Sequence, residues 1–101
     1  MEANQVAEAD NFLRSAIRLN PSFAPAMLHM AELKLKSGDA ALADAYYSRY
    51  LSLGRHTPHS LAAGIQIKRA VGEGSAADGY AQQLVKNFPT SNQARTFLAS
   101  N

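Results

Sequence analysis

PAMLHMAELKLKSGDAALADAYYSRYLSL, residues 25–53, holds two apolar-striped helical segments hinged on Ser37-Gly38-Asp39, and its pattern recurs before and after itself with a period near 34. In the second segment Ala43, Tyr47 and Tyr50 form a small-then-bulky series at i, i+4 and i+7. Residues so spaced share one helix face, and there the small one admits a neighbouring helix that the bulky ones then wedge. The series recurs 34 residues earlier as Ala9, Leu13, Ala16 and 34 residues later as Ala77, Ala81, Leu84, with Pro21 and Pro89 closing two of the units. A helix–turn–helix unit repeated at this length cannot bury its apolar face alone and must stack on its neighbours.

Working outward, residues 4–19 carry Val6, Ala9, Leu13, Ala16 and Ile17 on one face and read as the second helix of a truncated repeat. An array that starts in mid-repeat exposes a face built to be covered. The expectation is therefore a C-terminal piece of a longer protein, which self-associates through the uncovered first helix at Val6, Leu13 and Ile17. Asn20-Pro21 stops that helix, Ser22 is read as the cap of the next, and Pro25 sits in its first turn. Met27, Met30, Ala31 and Lys34 share a face; Gly38 suits a left-handed C′ position, Asp39 the following N-cap, and Gly54 is read as closing the second helix as Gly38 closes the first. A complete repeat is thus expected over 24–54.

Thr57-Pro58 opens the next repeat, 57–88, as an N-cap with proline at N1. Its first helix aligns with the previous one at a shift of 33, Pro25 on Pro58 and Leu28 on Leu61, while its second helix aligns at 34, so the hinge Gly72-Glu73-Gly74-Ser75 is expected to hold one extra residue. Ser75-Ala76-Ala77-Asp78 resembles a capping box, Gly79 weakens the helix, and Thr90-Ser91-Asn92-Gln93 opens a C-terminal cap helix over 90–99 that presents Phe97 and Leu98. The fold class expected is all-α: a right-handed superhelix of antiparallel helix pairs of the tetratricopeptide (TPR) type, ended by a capping helix.

Composition narrows the chemistry. The chain has 101 residues, 47% apolar and 18% charged, which is enough for one domain with its own core. A net charge of +2 spread along the chain does not favour nucleic acid or an anionic membrane. The absence of cysteine excludes disulfides, thiolate metal sites and a cysteine nucleophile. No run reaches the roughly 20 apolar residues of a spanning helix, so the fragment reads as soluble without direct membrane insertion. Gly72-x-Gly74-x-x-Ala77 mimics a dinucleotide fingerprint but joins two helices, where the motif needs a strand first. His56 and His59 lie close together without a third ligand, so no metal site is assigned. No catalytic constellation and no cofactor loop is present, and the chain reads as non-enzymatic. Arg14, Arg18, Lys34, Lys36, Lys68 and Arg69 read as solvated faces, and Met27, Met30, Tyr47 and Tyr50 as core.

Recognition by shape remains. In a TPR superhelix the first helix of each pair lines a concave groove, which places Leu28, His29, Glu32, Leu35 and Lys36 beside Leu61, Ile65, Lys68 and Arg69 as the candidate protein-binding surface. Leu28, Leu35, Leu61 and Ile65 are expected there as exposed aliphatic anchors, rimmed by charge and suited to a peptide of a protein partner.

A narrower resemblance rests on Met30-Ala31-Glu32-Leu33, Tyr47-x-x-Tyr50, Ser60-Leu61-x-x-Gly64-Ile65, and Gln83-Leu84 followed by Phe88-Pro89-x-Ser91. In these residues the chain resembles the C-terminal half of the PilF/PilW family, the TPR lipoprotein pilotins of type IV pilus biogenesis. The resemblance implies a parent lipoprotein on the periplasmic face of the bacterial outer membrane, whose partner is the secretin subunit that it helps to localise and multimerise. The alternative is a TPR targeting or regulatory segment attached to an enzymatic or other domain outside this chain. Upstream sequence would separate the two.

Overall fold

The computed structural model describes the backbone of residues 3–100 and the side chains of residues 7–99; Val6, part of the stripe read in the first helix, lies outside the described side chains. The described residues form α1 (Ala3–Leu19), α2 (Ala24–Lys36), α3 (Ala40–Leu53), α4 (Pro58–Ala70), α5 (Gly74–Asn87) and α6 (Asn92–Ser100), with no strand among them. Two compact units divide the chain, Met1–Arg55 and His56–Asn101. None of the described helices is long and apolar enough to cross a membrane.

In the first unit α2 packs against both α1 and α3. Asn20 ends α1: its side-chain oxygen accepts the Ser22 N–H at 3.3 Å and its carbonyl accepts the Phe23 N–H at 3.1 Å. This local turn moves the start of α2 one residue past the expected cap. Phe23 is the N-cap, no side chain caps the helix, and Pro25 lies in its first turn. The α2–α3 turn is a Schellman motif, with Gly38 at φ +87° and the Asp39 N–H bonded to the Lys34 carbonyl at 2.9 Å. Asp39 then caps α3 by accepting the Leu42 N–H at 3.0 Å. The core takes Met27, Met30 and Ala31 from α2 and Ala43, Tyr47 and Tyr50 from α3.

Gly54 ends α3 for another reason than Gly38 ends α2. Its backbone is extended, not left-handed. A Cβ there would lie 2.8 Å from the Tyr50 ring and 3.2 Å from the Ala24 side chain, so the glycine lets the chain leave α3 tightly against them. The Tyr50 hydroxyl donates to the Arg55 carbonyl and holds that exit in place.

The second unit opens with a complete capping box: the Ser60 N–H reaches Thr57 Oγ1 at 3.0 Å and the Thr57 N–H reaches Ser60 Oγ at 2.8 Å. The α4–α5 turn repeats the earlier one, Gly72 at φ +82° and the Glu73 N–H on the Lys68 carbonyl at 2.8 Å. It holds no extra residue, because α2 to α3 and α4 to α5 are both joined by three residues. The prolines caused the misreading: Pro58 is the first residue of α4, whereas Pro25 is the second of α2. Between these two repeats both helix starts, Ala24 to Pro58 and Ala40 to Gly74, are displaced by 34.

Glu73 occupies Asp39's place but makes no cap bond, its longer side chain reaching Lys68 at 3.4 Å instead. Ser75 therefore lies inside α5 and forms no capping box. Ser91 caps α6, accepting the Ala94 N–H at 3.1 Å, in place of the expected Thr90. Leu61, Ile65, Ala77, Ala81, Leu84 and Ala94 form the core of this unit, with Tyr80, Phe88 and Phe97 packed on it. The small-then-bulky series of α5 is thus buried like that of α3.

The stripe of α1 faces inward. Leu13, Ala16 and Ile17 are half-buried, whereas Phe12 and Leu19 are exposed at 75% and 87%. Charged substitutions at Leu13 and Ile17 would consequently disturb the docking of α1 on α2 before any contact between copies.

Candidate functional site

The expected groove residues divide by burial. His29, Lys36 and Arg69 are exposed, and Glu32, Leu35 and Lys68 are half-buried. Leu28, Leu61 and Ile65, expected as exposed anchors, retain only 8%, 0% and 4% of their surface and are core. Register explains the error at Ile65: at the true displacement of 34, Leu61 and Ile65 fall on Met27 and Ala31, the buried seam of α2, whereas a displacement of 33 set Ile65 on the half-buried Glu32 and Leu61 on Leu28, which is itself buried.

Part of what stays accessible lines a cleft in each unit. In the first, Ala9 and Leu13 of α1 face His29, Glu32, Leu33 and Lys36 of α2 around about 240 Å³. An ion pair holds these helices together: the Asp10 carboxylate accepts from Arg14 at 2.8 Å on its own helix and from Lys34 at 3.0 Å across to α2. These cations, read from sequence as solvated faces, therefore converge on one acid. Hydrogen bonds from Arg14 and then Lys34 lower the Asp10 pKa below the ordinary carboxylate value.

A carboxylate with a depressed folded pKa stabilises above its unfolded value and loses that contribution as pH falls through the folded one. Asp10→Asn should therefore destabilise the chain near neutrality, by up to about 1 kcal/mol for so accessible a pair. It should also flatten the loss of stability below about pH 5. Urea midpoints of both proteins across that range check this, and parallel curves would show that the pair does not couple α1 to α2.

In the second unit Ile65, Gln66 and Arg69 of α4 face Asn92, Gln93 and Phe97 of α6 around about 280 Å³, with Leu84 of α5 and Thr96 also lining the space. The Arg69 guanidinium lies over the Phe97 ring, 5.8 Å from its centre. Gln66 stands 34 residues after Glu32, so the two clefts use the same outward position of the pair's first helix. Of the expected residues, this cleft brings together Ile65 and Arg69 but neither Leu61 nor Lys68. The α6 residues were missed because that helix reads as a cap. The available signal was the pairing of Asn92 with Thr96 and of Gln93 with Phe97, each one turn apart on one side of a short helix.

The histidines His56 and His59 are not part of either cleft; His56 packs edge-on against the Tyr80 ring at 5.5 Å. Among the described residues no three His, Cys, Asp or Glu side chains gather as metal ligands would.

No described protein family and no curated protein sequence matches the chain. Two solved structures do. PilW, a widely conserved type IV pilus biogenesis factor, matches with a TM-score of 0.83 and 32% identity, over 94% of this chain and 44% of that one. PilF of Pseudomonas aeruginosa matches with a TM-score of 0.85 and 26% identity, over 97% of this chain and 44% of that one. The chain therefore spans less than half the length of either relative, and over nearly all of its own length it is similar to both. Its fold is all-α and of the TPR type, as in these two proteins.

Proposed function

We propose, from this similarity to PilW and PilF, that the chain is a non-catalytic protein-interaction scaffold serving type IV pilus biogenesis. In the finer form of the proposal it is the C-terminal part of a pilotin, its parent lipid-anchored on the periplasmic face of the outer membrane, and its partner is the secretin subunit. The observation that carries the reading is the match to PilW at 32% identity over 94% of this chain. The site chemistry agrees with it: both clefts combine apolar floors with polar rims, as peptide-binding surfaces do.

The test is removal of the parent gene from its own host. Loss of secretin multimers from outer-membrane fractions, restored by the full-length gene, is the expected result. Normal multimers together with a lost enzymatic activity would favour the alternative, a TPR segment attached to another domain. Charged substitutions at Leu28 and Ile65, two of the expected anchors, are unsuitable for mapping the contact, because both side chains are core and their replacement would disturb the fold.

A further inference from the structure

The α4–α6 cleft differs from the other in its charge. The α1–α2 cleft sets Glu32 against Lys36 and so is mixed, whereas the residues lining the α4–α6 cleft include one cation, Arg69, and no acid. Gln66, Asn92 and Gln93 add three carboxamides, none hydrogen-bonded to a described residue. Arg69 likewise has no carboxylate partner among the described residues, and its guanidinium lies over the Phe97 ring.

We propose that this cleft binds an internal, extended segment of a partner protein in which an acidic side chain neighbours an apolar one. Arg69 takes the carboxylate, since a guanidinium offers paired donors in the geometry a carboxylate accepts. Phe97, whose ring lies beneath that cation, and Ile65, which lines the same cleft, take the neighbouring apolar side chain, so charge and apolar group must be close together in the ligand. The carboxamides present both donors and acceptors, which match the alternating N–H and C=O of an extended backbone. A volume of about 280 Å³ lies at the lower edge of ligand pockets, which suits a few residues of a chain better than a larger cofactor. The inference deepens the scaffold reading by naming the chemistry of the partner segment, and it rests on that reading.

The full chain would be titrated with an end-blocked octapeptide of alternating leucine and aspartate, and with the same peptide carrying asparagine for aspartate. The aspartate peptide should bind and the asparagine peptide should bind at least about tenfold more weakly, because charge-assisted hydrogen bonds are roughly twice as strong as neutral ones. Arg69→Gln, at an exposed position, should bring the two peptides to equal affinity with the helical signal unchanged. Thr96→Trp, filling the cleft from its exposed rim, should abolish binding of both. Equal binding of the two peptides to the unaltered chain, aspartate-peptide binding insensitive to both variants, or comparable binding of an oligothymidylate in the same cleft would each overturn the proposal. This outcome is separable from the pilotin reading. Secretin multimers lost on gene removal while the peptide fails to bind would sink the cleft alone, and the reverse would sink the pilotin role alone.

Discussion

Replacing Leu61 with lysine is expected to unfold the second unit at room temperature. Leu61 is fully buried in the cluster it shares with Ile65, Ala77, Ala81, Leu84 and Ala94, and it does not line the cleft through which a long side chain at position 65 could reach water. Truncating such a leucine to alanine already costs about 2–5 kcal/mol. Lysine adds an ammonium with no acid in that cluster to receive it, and an unpaired buried charge costs several kcal/mol more. The sum rivals the roughly 5–15 kcal/mol by which whole domains are stable. Amide hydrogen exchange checks this residue by residue: α4, α5 and α6 should lose protection together. A Leu61→Lys protein that melts like the parent would mean that this face is open to solvent, as the groove expectation had it.

Tyr47→Ala should be the most damaging single truncation in the first unit. Tyr47 is fully buried on α3, its ring stacked on Tyr50 with centres 6.1 Å apart. Removing a buried aromatic ring costs about 3–5 kcal/mol through lost transfer energy and the cavity left behind. In a chain of this size that corresponds to a fall in Tm of at least about 12 °C. Thermal denaturation followed by circular dichroism measures it. A fall below about 4 °C would show that Ala43 and Tyr47 do not form the close crossing that the small-then-bulky spacing implies. The damage should reach function only through folding, so residual folded protein at low temperature should keep the peptide binding expected of the α4–α6 cleft.

Helix type, the pairing of helices and most of the core are written locally, and the sequence by itself determined them. Spacing at i, i+4, i+7 places Ala43, Tyr47 and Tyr50 on one face whatever surrounds them, and the structure buries all three. Gly38 and Gly72 announce their turns because only a residue without a side chain adopts φ near +85° at little cost. Asp39 and Thr57 announce helix starts because a short side chain in that position reaches the free N–H groups of the first turn. Phe23 and Ser91 were not legible in this way, since Ser22 and Thr90 offer equally good local caps and packing chooses among them.

Register and exposure were decided only by the tertiary structure. Two prolines 33 residues apart outweighed two glycines 34 apart, and that single step rotated α4 by about 100° in the reading, turning Ile65 from core into groove. Sequence could not correct it, because leucine and isoleucine suit a buried seam and a peptide-binding surface equally well. The convergence of Arg14 and Lys34 on Asp10, and of Arg69 with the carboxamides of α6, joins residues up to 24 positions apart. Such clusters carry no periodic signature: which polar side chains meet is set by how two helices dock, and the helices dock through their apolar faces.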